Sequence, residues 1–249
     1  KIAFLEGHGD LSEREVFDLS QALSRYYQID RGTLGNETDI LNDYRVVIIA
    51  DPQEPFSEKD KYILDQYLMQ GGRILWVVNG VRFSDEYLSQ SGMTPVIPLE
   101  LQIDDMLFRY GVRVNATLVQ DLQCLPVPVD VSSDPQQPNW QPMPWTYAPL
   151  LLTSHASPIT RNLMQVSSTM ASTIEFVGGE DGIYKEVLLA TSSASRITGT
   201  PAQVDLGFDD ANPEEYRYAY VPVAASMEGV FPSLFAHLLP PEDIIMHSP

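Results

Sequence analysis

The sequence predicts an α/β fold of three layers: a doubly wound, mostly parallel sheet with helices on both faces. Three observations predict it. Short apolar runs alternate with helical periodicity through the first third of the chain. The turns joining them are short, as βαβ units require. Val46-Val47-Ile48-Ile49-Ala50 is a continuous β-branched run, the pattern of a strand covered on both faces. Right-handed crossovers then place helices above and below the sheet.

The first strand is Ile2-Ala3-Phe4-Leu5, ended by the tight turn Glu6-Gly7-His8-Gly9-Asp10. Ser12 stands three residues before Glu15, a capping box in which each side chain can satisfy the other's backbone N–H. Val16, Leu19, Leu23 and Tyr26 follow at helical spacing and predict one buried stripe. A second strand is expected over 27–30. The third, Val46 to Ala50, stops at Asp51-Pro52. Ser57 caps the next helix, with Asp60 at its third position and Ile63, Leu64, Tyr67 and Leu68 on its apolar face; Gly71-Gly72 ends it. A fourth strand, 74–78, is closed by Asn79-Gly80.

Leu99, Ile103, Leu107 and Tyr110 mark a further helix stopped by Gly111, and 112–121 reads as strand, turn, strand. From Pro126 to Pro149 the chain carries seven of its nineteen prolines, together with Trp140 and Trp145. Proline lacks the N–H that a helix or sheet interior needs, so an ordered loop or extended arm at about 125–149 is expected. Strands are expected at 150–153, 174–176, 186–191 and 217–224, and a short helix from Ser233. The second half is thus the more β-rich, and the whole of 1–249 is expected to be one domain.

Composition narrows the function. Against 15 Lys+Arg stand 34 Asp+Glu, a net charge of −19. Phosphate backbones are bound by neutralising them with basic side chains, so nucleic acid is not a partner this chain suits. The same repulsion keeps it off anionic lipid. One cysteine, Cys124, makes no disulfide framework and no cysteine-based zinc site. No stretch approaches the roughly 20 apolar residues that span a bilayer. The chain opens on Lys1 and enters a strand at once, the expectation being a domain excised from a larger, membrane-anchored protein.

Candidate chemistry gathers on Gly7-His8-Gly9-Asp10-Leu11-Ser12. It follows a strand and opens a helix, with Asp30 about 20 residues on, the context of a dinucleotide fingerprint. Ser12 replaces the third glycine, however, and Glu6 and Asp10 put negative charge where a pyrophosphate would sit. A plain strand-to-helix turn, or a ligand or partner contact at the carboxyl end of the sheet, explains the same residues. Glu6, His8 and Asp10, with Asp51 or Asn79 at neighbouring strand ends, would be the groups of a hydrolase or amidotransferase-like alternative. The four histidines form no H-x-x-x-H pair. No nucleophile elbow and no phosphate loop occur, so neither that acyl-transfer chemistry nor an ATPase is indicated. No cofactor and no metal is expected. Trp140, Trp145 and Tyr147 would form either a recognition surface or the anchor of the proline-rich segment.

Several segments taken together resemble the auxiliary, extracytoplasmic component of an ABC-type transport system associated with gliding motility. They are Phe4-Leu5-Glu6-Gly7-His8-Gly9-Asp10-Leu11, Asp51-Pro52, Gly71-Gly72-Arg73-Ile74-Leu75-Trp76, Tyr110-Gly111-Val112 and Leu118-Val119-Gln120-Asp121. Trp145-Thr146-Tyr147-Ala148-Pro149-Leu150, Pro222-Val223-Ala224 and Glu228-Gly229-Val230-Phe231 complete the set. The resemblance implies a flavodoxin-like or class I glutamine amidotransferase-like fold without its nucleophile, and a non-enzymatic binding or assembly role. It also implies permease and ATPase subunits as partners, a periplasmic location, and membrane attachment only through a segment outside this sequence. It supplies no catalytic residue. Read from the strand ends and the aromatic segment rather than from the resemblance, the residues expected at a ligand or partner contact are Glu6, Gly7, His8, Gly9, Asp10, Asp51, Asn79, Trp140 and Trp145.

Overall fold

The structure, a computed structural model, describes residues 1–130, 132, 137–178, 182–206 and 212–236. The chain opens with β1 (Ile2–Glu6), α1 (Phe17–Ser24), β2 (Ile29–Thr33) and β3 (Val46–Ala50). α2 (Glu58–Met69) and β4 (Ile74–Val77) follow. These four strands form one parallel sheet in the order β2-β1-β3-β4. Alternation divides its interior: Ala3, Leu5, Val47 and Ile49 face the core beneath α2, while Ile2, Phe4, Ile48 and Ala50 face the side of Val16. Full burial of a side chain such as Phe4 or Ile49 contributes roughly 1.5–3 kcal/mol. α2 starts where its sequence says. Ser57 accepts from Asp60 N and Asp60 reaches back to Ser57 N, satisfying two backbone donors that the helix itself leaves open.

Beyond β4 the plan changes. β5 (Val81–Arg82), α3 (Asp85–Ser91) and β6 (Met93–Pro98) lead to α4 (Asp104–Tyr110), which Gly111 closes at φ 99°. Then come β7 (Val112–Val114), β8 (Thr117–Asp121), β9 (Cys124–Asp130) and β10 (Trp140–Thr153). β11 (Gln165–Ser167), β12 (Ile174–Phe176), β13 (Ile183–Ala190), β14 (Ser195–Gly199), β15 (Ala202–Asp205) and β16 (Pro222–Gly229) complete the set. All of these strands pair antiparallel: β9-β10, β10-β11, β10-β13, β13-β16, β12-β7, β14-β8, β15-β6 and β5-β6. A second core of Val81, Leu88, Val96, Leu118, Trp145, Met170 and Val204 lies among them.

The three-layer, doubly wound, flavodoxin-like fold expected from the sequence is therefore not the fold of this chain. Its parallel sheet stops at four strands, and the greater part of the strand structure is antiparallel. The physical reason lies after β4. Asn79-Gly80 leads into the two-residue β5 instead of a crossover helix, so no fifth parallel strand can be laid down.

The proline-rich segment also differs from expectation. It is a β-ribbon of β9 and β10, in which Pro142 stands opposite Pro128 and Pro144 opposite Pro126. Opposed residues of an antiparallel pair alternate between hydrogen-bonded and non-hydrogen-bonded rows. Four prolines facing one another occupy the non-bonded rows, with the missing N–H turned outward. Gln141 with Val129 and Met143 with Val127 carry the ladder.

Smaller corrections share one cause, a local signal read a few residues out of register. α1 begins only at Phe17, with no side-chain cap, so Leu19 and Tyr26 are exposed and Val16 alone of the expected stripe is buried. β2 starts at Ile29 and β16 at Pro222, both later than expected, and α4 starts at Asp104 although Leu99 had marked its beginning. Residues 234–236 form a turn, and the continuation of the helix expected from Ser233 lies outside the described residues.

Candidate functional site

The carboxyl edge of the parallel sheet brings together seven of the nine expected residues: Glu6, Gly7, His8, Gly9, Asp10, Asp51 and Asn79. Gly7 (φ 108°) and Gly9 (φ 70°) hold backbone conformations that disfavour a Cβ, and they turn the chain so that His8 points inward. The ring is only 6% exposed. It stacks on Phe56 at 3.8 Å between centroids with 10° between planes, and its Nε2 lies 3.4 Å from Asp60 Oδ2.

This sheet reverses its winding between β1 and β3, the place where open α/β sheets usually admit ligands. Here the protein fills that crevice itself. The His8 carbonyl accepts from Gln53 N (2.7 Å) and Glu54 N (2.8 Å), and Leu11 N donates to the Ala50 carbonyl (2.8 Å). His8 N donates to Asp10 Oδ2 at 3.0 Å, closing the turn on itself. Asp51 sits at φ 53° and accepts from Asn79 Nδ2 at 2.9 Å, tying the ends of β3 and β4 together. Glu6 is paired with Arg31 at 2.7 Å.

Electrostatics separates the carboxylates. Burial raises Asp10 above the usual carboxylate range, more than its hydrogen bond from His8 N and the nearby His8 ring lower it. Burial also raises Asp51, aided by Asp85, Asp10 and Glu15 and opposed by the bond from Asn79. Burial acts on Asp60 too, but the hydrogen bonds from His8 and Ser57 together outweigh it and hold that group low. The His8 ring is within hydrogen-bond distance of Asp60 alone, while Asp10 uses Oδ2 on the His8 N–H and leaves its buried Oδ1 without a hydrogen-bond partner. Among the described residues no cluster of three His, Cys, Asp or Glu side chains is arranged to hold a metal ion.

Ser12 does not cap α1. Its N (2.8 Å) and its hydroxyl (2.6 Å) both donate to Glu15 Oε2, half of a capping box ahead of a turn that only later becomes helix. Trp140 and Trp145 lie apart from this edge, on β10. Trp145 is 5% exposed and donates to the Asp205 carbonyl at 3.0 Å, anchoring the ribbon to the second core, whereas Trp140 is 63% exposed.

A cleft of about 810 Å³ opens beside Asn79, between the ends of β4 and β6, α4, β7, Val177-Gly178 after β12 and the start of β13. Sequence reasoning did not find it, because its walls come from segments far apart in the chain. The one local signal was Gly111, which ends α4 and whose open face receives the Lys185 ammonium.

The fold and this edge define a class: a short parallel sheet with helices, continued into antiparallel β-structure, with its switch point filled from within. The chain belongs to the family described as an ABC-type uncharacterized transport system, whose model matches residues 1–248. Among solved structures it is similar to the mmIFT52 N-terminal domain, at 17% identity and a TM-score of 0.52 over 89% of this chain and 85% of that one. A likeness at that identity concerns the fold alone. A putative thua-like protein from Bacteroides uniformis aligns over 98% of this chain and 86% of its own, at 12% identity and a TM-score of 0.43. No curated protein matches.

Proposed function

We propose that this chain is a non-enzymatic auxiliary component of an ABC-type transport system, acting as a binding or assembly domain on the extracytoplasmic side of the membrane. The observation that carries the reading is the family match over residues 1–248. The internal closure of the His8 turn favours a structural role for that motif over a catalytic one, since its backbone is engaged and its ring is stacked on Phe56, although the buried Nδ1 has no hydrogen-bond partner. The acidic balance of −19 suits a domain that meets protein partners and stays off anionic lipid. The segments quoted in the sequence analysis extend the proposal to gliding motility. In this reading the partners are a permease and an ATPase subunit, and attachment to the membrane runs through parts of the natural protein outside this sequence.

The test is purification of the natural protein from its own cells in mild detergent. Permease and ATPase subunits should come with it in fixed proportion, and the domain should be open to protease added outside the inner membrane. Recovery as a free cytoplasmic protein would sink the proposal.

A further inference from the structure

The cleft beside Asn79 has a chemistry of its own, and the inference drawn from it does not need the transport reading. Its volume of about 810 Å³ lies within the range of about 300–1,000 Å³ common for small-molecule sites. Leu99, Leu101, Leu107, Val114, Ile183 and Leu234 make its walls largely apolar. Its charges are sorted along α4. Glu100, Asp104 and Asp105 stand at the N-terminal end of that helix, and Arg109, Arg113 and Lys185 at the other. Seven residues of helix separate the two ends by about 10 Å.

At the acidic end Asp105 is ion-paired with Lys61 at 2.9 Å, while Glu100 and Asp104 make no ion pair among the described residues. At the basic end Lys185 Nζ donates to the carbonyls of Gly111 (2.9 Å) and Val177 (2.7 Å), with Phe176 alongside. An ammonium has three donors, so one is left over. The Arg113 guanidinium lies over the Phe108 ring at 5.6 Å. Glu175 stands opposite Arg113 in the β7–β12 register, yet neither Arg113 nor Lys185 is ion-paired with a carboxylate among the described residues. Two cations without a carboxylate partner among the described residues, at the mouth of an apolar cleft, offer a place for an anionic group.

We propose that this cleft binds an elongated apolar molecule ending in one anionic group, a medium-chain carboxylate in the first instance. The anion sits between Arg113 and Lys185 and the alkyl body lies against Leu107, Val114 and Ile183. The cations orient the ligand, and burial of its chain supplies most of the affinity.

Isothermal titration calorimetry of the 249-residue chain with decanoate tests this, with acetate and decyltrimethylammonium as comparisons. Decanoate should bind saturably at one site, acetate should not saturate, and the cationic amphiphile should bind at least tenfold more weakly. Arg113→Gln, at an exposed position that leaves the fold intact, should weaken decanoate about tenfold. Glu175→Gln, which removes the competing carboxylate, should tighten it. Lys185→Gln is the less clean variant, because it also releases two carbonyls, and is read only if its urea midpoint matches the parent. Three results overturn the proposal: no saturable heat with decanoate, equal affinity for the two amphiphiles, or an Arg113→Gln variant that binds as the parent does.

Discussion

Asp65, in the middle of α2, accepts a 2.6 Å hydrogen bond from the hydroxyl of Ser233, 168 residues further along the chain. The same carboxylate accepts from Leu234 N (2.8 Å), Tyr110 OH (2.8 Å) and Gln66 Nε2 (3.2 Å). It is fully buried, at 0% exposure. Burial first, and then the negative charge of Asp65, push the Tyr110 phenol far above its usual range, so it stays a donor. One side chain thus ties α4 and the last described segment to the helix beneath the parallel sheet.

Asp65→Ala should destabilise the chain by roughly 3 kcal/mol, because it strands several buried donors at once. Ser233→Ala removes the bond to the charged acceptor and the one that Ser233 Oγ accepts from Phe235 N, and should cost about 2 kcal/mol. The double variant should lose less than the sum, since the Ser233 bond no longer exists once Asp65 is gone. Urea midpoints of the three variants measure this. Equal midpoints for Asp65→Ala and the parent would show that the carboxylate is not the tie.

Gly7→Val and Gly9→Val should each cost about 1–3 kcal/mol, the usual scale of strain for a side chain forced to positive φ. Space is short as well. A Cβ would come within 3.1 Å of Thr33 Cγ2 at Gly7 and of Gln53 Cβ at Gly9. Ser12→Ala should leave the urea midpoint where it was, because its hydroxyl meets only the exposed Glu15 and caps no helix. An order in which Ser12→Ala is the most damaging of the three would reverse this account of the turn.

What was legible in the sequence was local. β1, β3 and α2 lie where the apolar runs and the Ser57–Asp60 box put them, since strand burial and helix capping are decided within a few residues. The gathering of Glu6 to Asp10 with Asp51 and Asn79 at one edge follows from strands that simply end there. The antiparallel half was not legible, because its pairings join segments such as β8 and β14 that are distant in sequence. The prolines misled for a different reason. Pro126 and Pro128, like Pro142 and Pro144, recur at a spacing of two, which is strand periodicity, and they harm a ladder only in the bonded rows. For α1, helical spacing from Val16 predicted a stripe, but burial needs a facing surface: Val16 is buried, Leu23 packs partly against the same core, and Leu19 and Tyr26 are exposed. Nothing in the local sequence announces that His8 fills the switch point, because Phe56 and Asp60 reach it from the next crossover.

The carboxylates of the edge carry opposite pH signatures. Asp10 and Asp51 have folded-state pKa values raised by burial, so their contribution to stability is fully present below about pH 3.9, the unfolded value, and is lost as pH rises through the folded ones. Asp51→Asn keeps an acceptor for Asn79 and tolerates positive φ, so it should raise the urea midpoint at pH 7 and leave it unchanged at pH 3. Asp60 is held low, so its contribution is present above the unfolded value and is lost as pH falls through the folded one. Asp60→Asn should therefore lower the midpoint at pH 7, with the difference vanishing in strong acid. Midpoints of both variants against pH decide the matter, and a destabilising Asp51→Asn at pH 7 contradicts it.

The two tryptophans of β10 should separate cleanly into an anchor and a free surface. Trp145 is buried in the second core, tilted against Tyr147 at 5.9 Å, and its indole N–H donates to the Asp205 carbonyl. Trp145→Ala should cost about 3–5 kcal/mol, the range for emptying an aromatic site in a packed core. Trp145→Phe keeps most of the volume but loses the N–H donor, and should cost about 1–2 kcal/mol. Trp140→Ala should change stability by no more than about 0.5 kcal/mol, because the side chain stands largely in solvent on the ribbon. Fluorescence adds an independent reading. Loss of Trp145 should remove blue-shifted emission from a buried indole, and loss of Trp140 should remove red-shifted, readily quenched emission. If Trp140→Ala were instead the destabilising change, the ribbon would be held to the domain by its exposed face, and the assignment of Trp145 as its anchor would be wrong.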